Sequence, residues 1–278
     1  MRAALLLDLD EVKFIEPSFD RLIEPQFTND LVNLPSTRGR LVINENEWPI
    51  AVALETDDGW VAGSFTYRNV SEELLDKLEQ IDIEIYQERQ SEWESAVREY
   101  YSLMLMRNTA PALDDFSQNR VENLLQIIKE EWVDVRGNVC LDAACGTGIG
   151  SMVARTMGMA VISFDNDPSL LSCGLRAGRL LPEETMCIDA SLASRFVRSA
   201  GYGLILMAGE ITPFNSLLWK RIVNEILSLT EHTIITTGTE REASLIRQWS
   251  EEKGRKAELF QNEMSDFYDQ WICKTWKR

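Results

Sequence analysis

Residues 139–151, V-C-L-D-A-A-C-G-T-G-I-G-S, constrain this chain more than any other stretch. An apolar strand runs into an acid at Asp142, and a loop of small residues then opens a helix. Ala143, Ala144, Gly146, Gly148 and Gly150 keep side chains out of the way, so a ligand can reach the backbone and the N-terminus of the following helix. The stretch reads as a nucleotide or cofactor loop, and it demands a strand before it and a helix after it.

The chain downstream supplies that alternation. A strand over 138–141 gives way to a helix from about Ile149, and a strand over 160–164 is followed by Asp165-Asn166-Asp167-Pro168 and another helix. Asp167 as cap, with Pro168 at the first helical position, is a strong start signal. A strand over 185–188 precedes Asp189 and a helix expected to end near Gly201, and a strand over 204–208 precedes a loop and a helix over 215–230. A strand over 233–237 leads to Thr239, whose spacing to Glu242 makes a capping box for a helix to about Gly254. Runs at 256–260 and 270–276 look like a closing pair of strands, and 117–132 carries Val121, Leu124, Leu125 and Ile128 on one helical face. Repeated strand-helix units predict an α/β fold, a mostly parallel sheet covered on both faces with ligands at the carboxyl ends of its strands.

The first part of the chain has a different texture. The run 3–9 reads as a short strand, and Pro17, Pro25 and Pro35 interrupt any long regular element after it. Short β-rich runs at 40–44, 49–55 and 60–67 form a hairpin or meander, Ser71 caps a helix through Gln80, and 87–106 has helical spacing in Trp93, Val97, Tyr100, Tyr101 and Met104. Asn108-Thr109-Ala110-Pro111 breaks the pattern and sets a boundary. Residues 1–110 are therefore expected to form a small α+β accessory or substrate domain, and 111–278 the cofactor domain. Asp8 and Asp10 after an apolar run resemble the nucleophile motif of haloacid-dehalogenase-like phosphatases, but the usual threonine after the second acid is absent.

Charge and composition exclude several function classes. The net charge is -17, of which residues 1–110 carry -12 (10 Lys+Arg, 22 Asp+Glu) and the remainder -5. Such a surface repels phosphate backbones, so nucleic acid is disfavoured as a substrate. Five cysteines without a C-x-x-C pair, together with a single histidine, His232, give no disulfide framework, no metal site and no histidine triad. His232, at the front of an apolar strand, is read as a packing or strand-edge residue. No run of about 18 apolar residues exists and the first residues meet acids early, so neither a membrane span nor a signal peptide is expected and the chain is read as cytoplasmic. Oligomeric state is not legible.

The acids that end the strands carry the chemistry. Asp142 closes the first, Asp165 the second, 17 residues after Gly148, and Asp189 the third. A carboxylate at the end of the second strand can accept both ribose hydroxyls of an adenosine-bearing ligand. Each acid also has a structural reading: Asp142 as a strand end, Asp165 as a turn former, Asp189 as a helix cap.

With these acids in register, residues 117–278 resemble the class I, Rossmann-like S-adenosylmethionine (SAM)-dependent methyltransferases. The family's first motif is an apolar strand, an acid and then G-x-G-x-G; D-A-A-C-G-T-G keeps Asp142, Gly146 and Gly148, with Ala144 at the first glycine. The resemblance implies a seven-stranded, mostly parallel sheet with an antiparallel final strand, and SAM as cofactor. It also implies that the loop Ala143, Ala144, Cys145, Gly146, Thr147 and Gly148 lies along the methionine moiety. Asp165 matches the acid that binds ribose, Asn166 lies beside the adenine, Asp189 with Ala190 matches the segment that recognises the adenine amino group, and Ala208, after the fourth strand, is counted with the cofactor-binding residues. A nicotinamide dinucleotide is the rival cofactor, but Ser151 replaces its third glycine and Asp142 is left unexplained.

The acceptor is far less legible. Where methyltransferases of amide or base nitrogens carry N-P-P-Y or D-P-P-Y, this chain has Ala208 to Ile211, and Pro213-Phe214 comes three residues later. That argues against glutamine and exocyclic-base substrates, and leaves a small molecule or a protein as acceptor. Glu210 is the candidate general base or substrate orienter, against the plain reading of a solvated loop acid. Trp93, Trp219 and Trp249 are read as core. A SAM-binding sensor or assembly subunit without turnover is the alternative of a different class.

Overall fold

The computed structural model describes residues 1–265 and 267–277. The chain divides into two units, Met1–Arg107 and Asn108–Arg278. No helix among the described residues is long and apolar enough to cross a membrane.

The first unit begins with a helix, α1 (Arg2–Leu6), where a strand was expected over 3–9. Ala3, Ala4 and Leu7 are buried while Leu5 is exposed. That spacing is a helix face, and a short, wholly apolar run does not distinguish the two structures by period. Asp8 and Asp10 thus follow a helix, and the phosphatase-like reading loses the strand end it needs. Next come β1 (Lys13–Phe14), α2 (Gln26–Asn33), β2 (Arg38–Ile43), β3 (Pro49–Thr56), β4 (Gly59–Ser64), α3 (Glu72–Glu79), β5 (Asp82–Gln87) and α4 (Gln90–Asn108). Strand order is β1-β4-β3-β2-β5. The β3–β4 hairpin turns at Gly59, whose φ of 109° is closed to ordinary side chains. Leu31, Val52, Leu54, Phe65, Leu74 and Leu78 form one apolar cluster. Beside it the buried Glu16 carboxylate pairs with Arg68, and burial raises its pKa despite that partner.

The second unit runs α5 (Gln118–Glu131), β6 (Val139–Ala143), α6 (Ile149–Thr156), β7 (Ala160–Asp165), α7 (Pro168–Arg176), β8 (Thr185–Cys187), β9 (Ala200–Ile205), α8 (Ser216–Leu229), β10 (Thr230–Thr237), α9 (Glu240–Glu252), β11 (Lys256–Gln261) and β12 (Trp271–Trp276). Its seven strands are ordered β11-β12-β10-β9-β6-β7-β8. Strands β6 to β10 pair in parallel, and β12 lies antiparallel between β10 and β11. This is the α/β, Rossmann-like sheet the resemblance implies. Cys140, Val161, Leu204, Ile234 and Ile272, from five strands, meet Leu124 and Ile128 of α5 and Val153 of α6 in one core. Asp167 accepts from Ser169 N and Leu170 N as the cap of α7, and the capping box between Thr239 and Glu242 is complete.

One segment departs from expectation. The helix predicted between Asp189 and Gly201 is a short 3-10 stretch, Ala190–Arg195, and the strand predicted over 204–208 starts earlier, at Ala200. Gly201 and Gly203 hide that strand from a propensity reading. Gly203 is required there, because a Cβ would stand 2.8 Å from Thr230 Cγ2.

The order of connection reverses at β6, with β7 on one side and β9 on the other. In a sheet of this kind the crevice lies beyond the carboxyl ends of the strands at such a reversal.

Candidate functional site

The backbone after β6 is set by three left-handed residues, Ala144 (φ 50°), Gly146 (φ 53°) and Gly148 (φ 88°). Glycine adopts this region freely, whereas an L side chain such as that of Ala144 is strained in it. Gly146 lines a cleft of about 480 Å3, and apart from its chain neighbours no residue comes within 4 Å of where its Cβ would stand. Gly148 does not line the cleft. It starts α6 directly beneath Leu180, whose side chain leaves no room for a Cβ, at 2.7 Å.

Asp142 lies beneath the loop rather than on the cleft. It is buried, and its Oδ2 accepts from Ser151 Oγ at 2.6 Å, which in turn meets Ser163 Oγ at 2.6 Å. Gly150 must lack a side chain, since a Cβ would stand 2.5 Å from Asp142 Oδ1. Burial raises the Asp142 pKa to about 6, against the lowering effect of the Ser151 hydrogen bonds. Ala143 is likewise buried in β6 and away from the cleft.

Asp165 lines the cleft as the sequence suggested. Its Oδ2 accepts from Gly146 N at 2.9 Å and its Oδ1 from Asp167 N at 2.8 Å. Burial raises its pKa while those backbone donors oppose the shift. Asn166, Asp189 and Ala190 line the same cleft, with Ala144, Cys145 and Thr147 of the loop. Asp189 Oδ1 also accepts from Ser191 N at 2.8 Å, so it caps the 3-10 stretch while lining the cleft. Cys145 is buried, and burial drives its thiol pKa well up, away from any thiolate chemistry.

The wall after β9 differs from the reading in several places. Met207 and Gly209 line the cleft, but Ala208 is buried outside it, its N–H bonded to Thr236 O at 2.9 Å. Glu210 is exposed and away from the cleft, with its carbonyl accepting from Asn215 Nδ2. The carboxylate that acts on this turn is Glu242, which closes the capping box of α9 with one oxygen and accepts from Ile211 N at 2.8 Å with the other. Trp93 and Trp249 are core residues, as expected. Trp219 is a correction: it is only half-buried and lines the cleft, with Cζ2 3.1 Å from where a Gly209 Cβ would stand. His232 is stacked on Tyr202, with ring centroids 5.6 Å apart, and lies away from the cleft.

Asp115, Arg120 and Tyr268 complete the lining and were not singled out from the sequence. Arg120 is the one cation among the described lining residues, against Asp115, Asp165, Asp167 and Asp189. Asp269 holds it through Nε (2.6 Å) and Nη2 (3.3 Å), and its guanidinium lies 4.8 Å from the centroid of the Tyr268 ring. The buried Asp269, itself at φ 54°, also accepts from Thr236 Oγ1, which accepts from Met207 N at 2.7 Å. No local motif signals this network, because its partners are 29 to 149 residues apart. Among the described residues no group of three or more His, Cys, Asp or Glu is placed to hold a metal.

No family model and no curated protein matches the sequence. Solved structures similar to this chain include SAM-dependent methyltransferases. They include magnesium protoporphyrin IX methyltransferase from Synechocystis PCC 6803 with bound SAM, 14% identical over 66% of this chain and 97% of that one, at a TM-score of 0.47. A TehB-like SAM-dependent methyltransferase from Corynebacterium glutamicum is 17% identical over 66% and 98%, at 0.44. The ribosomal protein L11 methylase from Lactobacillus delbrueckii subsp. bulgaricus is 14% identical over 60% and 83%, at 0.45. Their substrates belong to those proteins, and the fold of the second unit rests on its own strand order and pairing.

Proposed function

We propose that residues 111–278 form a SAM-dependent methyltransferase that moves a methyl group by in-line displacement to a small-molecule or protein acceptor, with residues 1–110 selecting that acceptor. The observation that carries this reading is Asp165: a cleft-lining carboxylate at the end of the second strand, each oxygen fixed by one backbone N–H. Such an oxygen keeps a lone pair for a further donor, so the pair suits a ribose diol.

The remaining residues fit the same ligand. Gly146 leaves its side of the loop clear, Asp189 and Ala190 offer an acceptor and an apolar contact for an adenine, and Asn166 stands beside Asp165. Arg120 is the counterpart for the ligand's carboxylate. When bound, SAM supplies a methyl group on a positively charged sulfur. Leu206, Met207, Leu218, Trp219, Ile222 and Tyr268 give the cleft an apolar wall that excludes water and orients an acceptor. Among the described residues that wall carries no carboxylate, histidine or lysine, and Glu210 is not part of it, so those residues serve as a positioning surface rather than as a proton acceptor. Orientation alone supplies roughly 7 to 11 kcal/mol in favourable cases. The acidic lining disfavours a nucleic-acid acceptor.

The test is a methyl-transfer screen of the intact chain with isotopically labelled SAM against fractionated cell extract. Label is expected in one acceptor fraction and not with Asp165→Ala. Binding of SAM with no transfer to any fraction would replace the enzyme by a SAM-binding sensor.

A further inference from the structure

We infer that residues 110–116, which precede the seven-stranded sheet in sequence, are a strap that retains the ligand in the cleft, with Asp115 as a binding residue and Arg179 as the residue that positions it. The inference rests on the SAM reading above.

The strap has no regular secondary structure and is held by named contacts. Ser172 Oγ donates to Thr109 O at 2.9 Å, and Ala112 N donates to Ser169 O at 2.9 Å, both on α7. Asp114 accepts from Arg179 Nη2 at 2.8 Å and Nη1 at 3.1 Å, and the same guanidinium lies 5.1 Å from the centroid of the Phe116 ring. Arg179 is buried, and its Nε donates to Thr147 O at 2.9 Å. Nη2 also reaches Cys173 Sγ at 3.7 Å. One planar fork therefore grips the strap with its outer nitrogens and the cofactor loop with its inner one, a geometry lysine cannot reproduce. The coupling is tight because α7 packs directly on the loop: a Cβ on Gly174 would stand 2.7 Å from Thr147 O.

Asp115, next to the gripped Asp114, lines the cleft and is exposed. Among the described residues it has no hydrogen-bonding partner. The other cleft acids are already engaged: Asp167 by the cap of α7, Asp189 by Ser191 N, and Asp165 by Gly146 N and Asp167 N. The methionine end of SAM carries an ammonium beside its carboxylate. Asp115 is the unpartnered carboxylate of the described lining, and Arg120, held by Asp269 through Nε and Nη2, has Nη1 beyond those contacts; together they match that zwitterion. Arg179 sets where Asp115 stands, so it controls ligand retention without touching the ligand.

The probe is S-adenosylhomocysteine, read by calorimetry and by stopped-flow dissociation on the full chain. Asp115→Asn is expected to weaken binding about 10-fold, the loss typical of one hydrogen-bonded charge. Asp114→Asn, a change at a solvent-accessible carboxylate, is expected to speed dissociation about 5- to 10-fold, with Asp114→Glu recovering part of it. Arg179→Lys added to Asp114→Asn is expected to do no more than the worse single change, since the two share one contact. In ligand-free protein, hydrogen exchange of the Ala112 amide is expected to accelerate about 10-fold in Asp114→Asn while β6 to β10 keep their wild-type rates. Wild-type binding with unchanged affinity and dissociation in both Asp115→Asn and Asp114→Asn overturns the strap and leaves the cofactor reading standing. A wild-type chain that does not bind S-adenosylhomocysteine overturns both.

Discussion

At the loop side of the cleft Asp165 is held by Asp167 N and Gly146 N, and Asp189 by Ser191 N, all within one strand-loop-helix step or the loop of the adjoining strand. On the wall after β9, Met207 is placed by Thr236 and Ile211 by Glu242, partners 29 and 31 residues apart. The first region is built from local backbone rules and the second from tertiary contacts. Local rules serve a ligand that stays the same, and long-range contacts can be rearranged to suit an acceptor without disturbing them.

The strongest way to break this contrast is at Asp165. Asp165→Ala is expected to weaken S-adenosylhomocysteine binding roughly 100-fold, about 3 kcal/mol, by removing a fixed carboxylate and orphaning two N–H donors, as calorimetry will show. The brace beneath the loop gives an effect of similar size on stability. The folded-state pKa of Asp142 is raised, so its contribution is fully present below the unfolded value near 3.8 and is lost as pH rises through about 6. That shift is worth about 3 kcal/mol. The stability gap between wild type and Asp142→Asn should therefore fall by about that amount between pH ~3 and ~7 in urea titrations, and a pH-independent gap would contradict the buried, neutral-favouring site. Ala144→Gly relieves a left-handed alanine and should stabilise the fold by up to about 1 kcal/mol in the same assay. On the wall after β9, Gly209→Ala pushes on Trp219 and should alter transfer to the acceptor while leaving the S-adenosylhomocysteine Kd within about 2-fold. Glu210→Gln, away from the cleft, should leave both unchanged.

The same contrast explains what was legible in the sequence. Asp165, Asp189, Gly146 and the caps at Asp167 and Thr239 follow from spacing within a few residues, and the structure places each as such an element. Trp219 is different: its helical spacing fits a core face equally well, and only the tertiary fold, which sets its ring against Gly209, puts it on the cleft. Arg120 and Asp115 are silent in the sequence, since nothing near them announces Asp269 or the cleft. In the first unit Pro25 does interrupt the chain, standing as the N-cap of the short α2 at φ -64°, a conformation proline favours. The parallel pairings β1–β4 and β2–β5 join segments 48 and 44 residues apart, and neither β1 nor β5 has a hairpin signal.

Titration calorimetry of the intact chain with S-adenosylhomocysteine and with NAD tests the central claim most directly. Saturable one-to-one binding of S-adenosylhomocysteine, lost in Asp165→Ala, with no heat from NAD is the expected result. Binding of NAD with none of S-adenosylhomocysteine would contradict it.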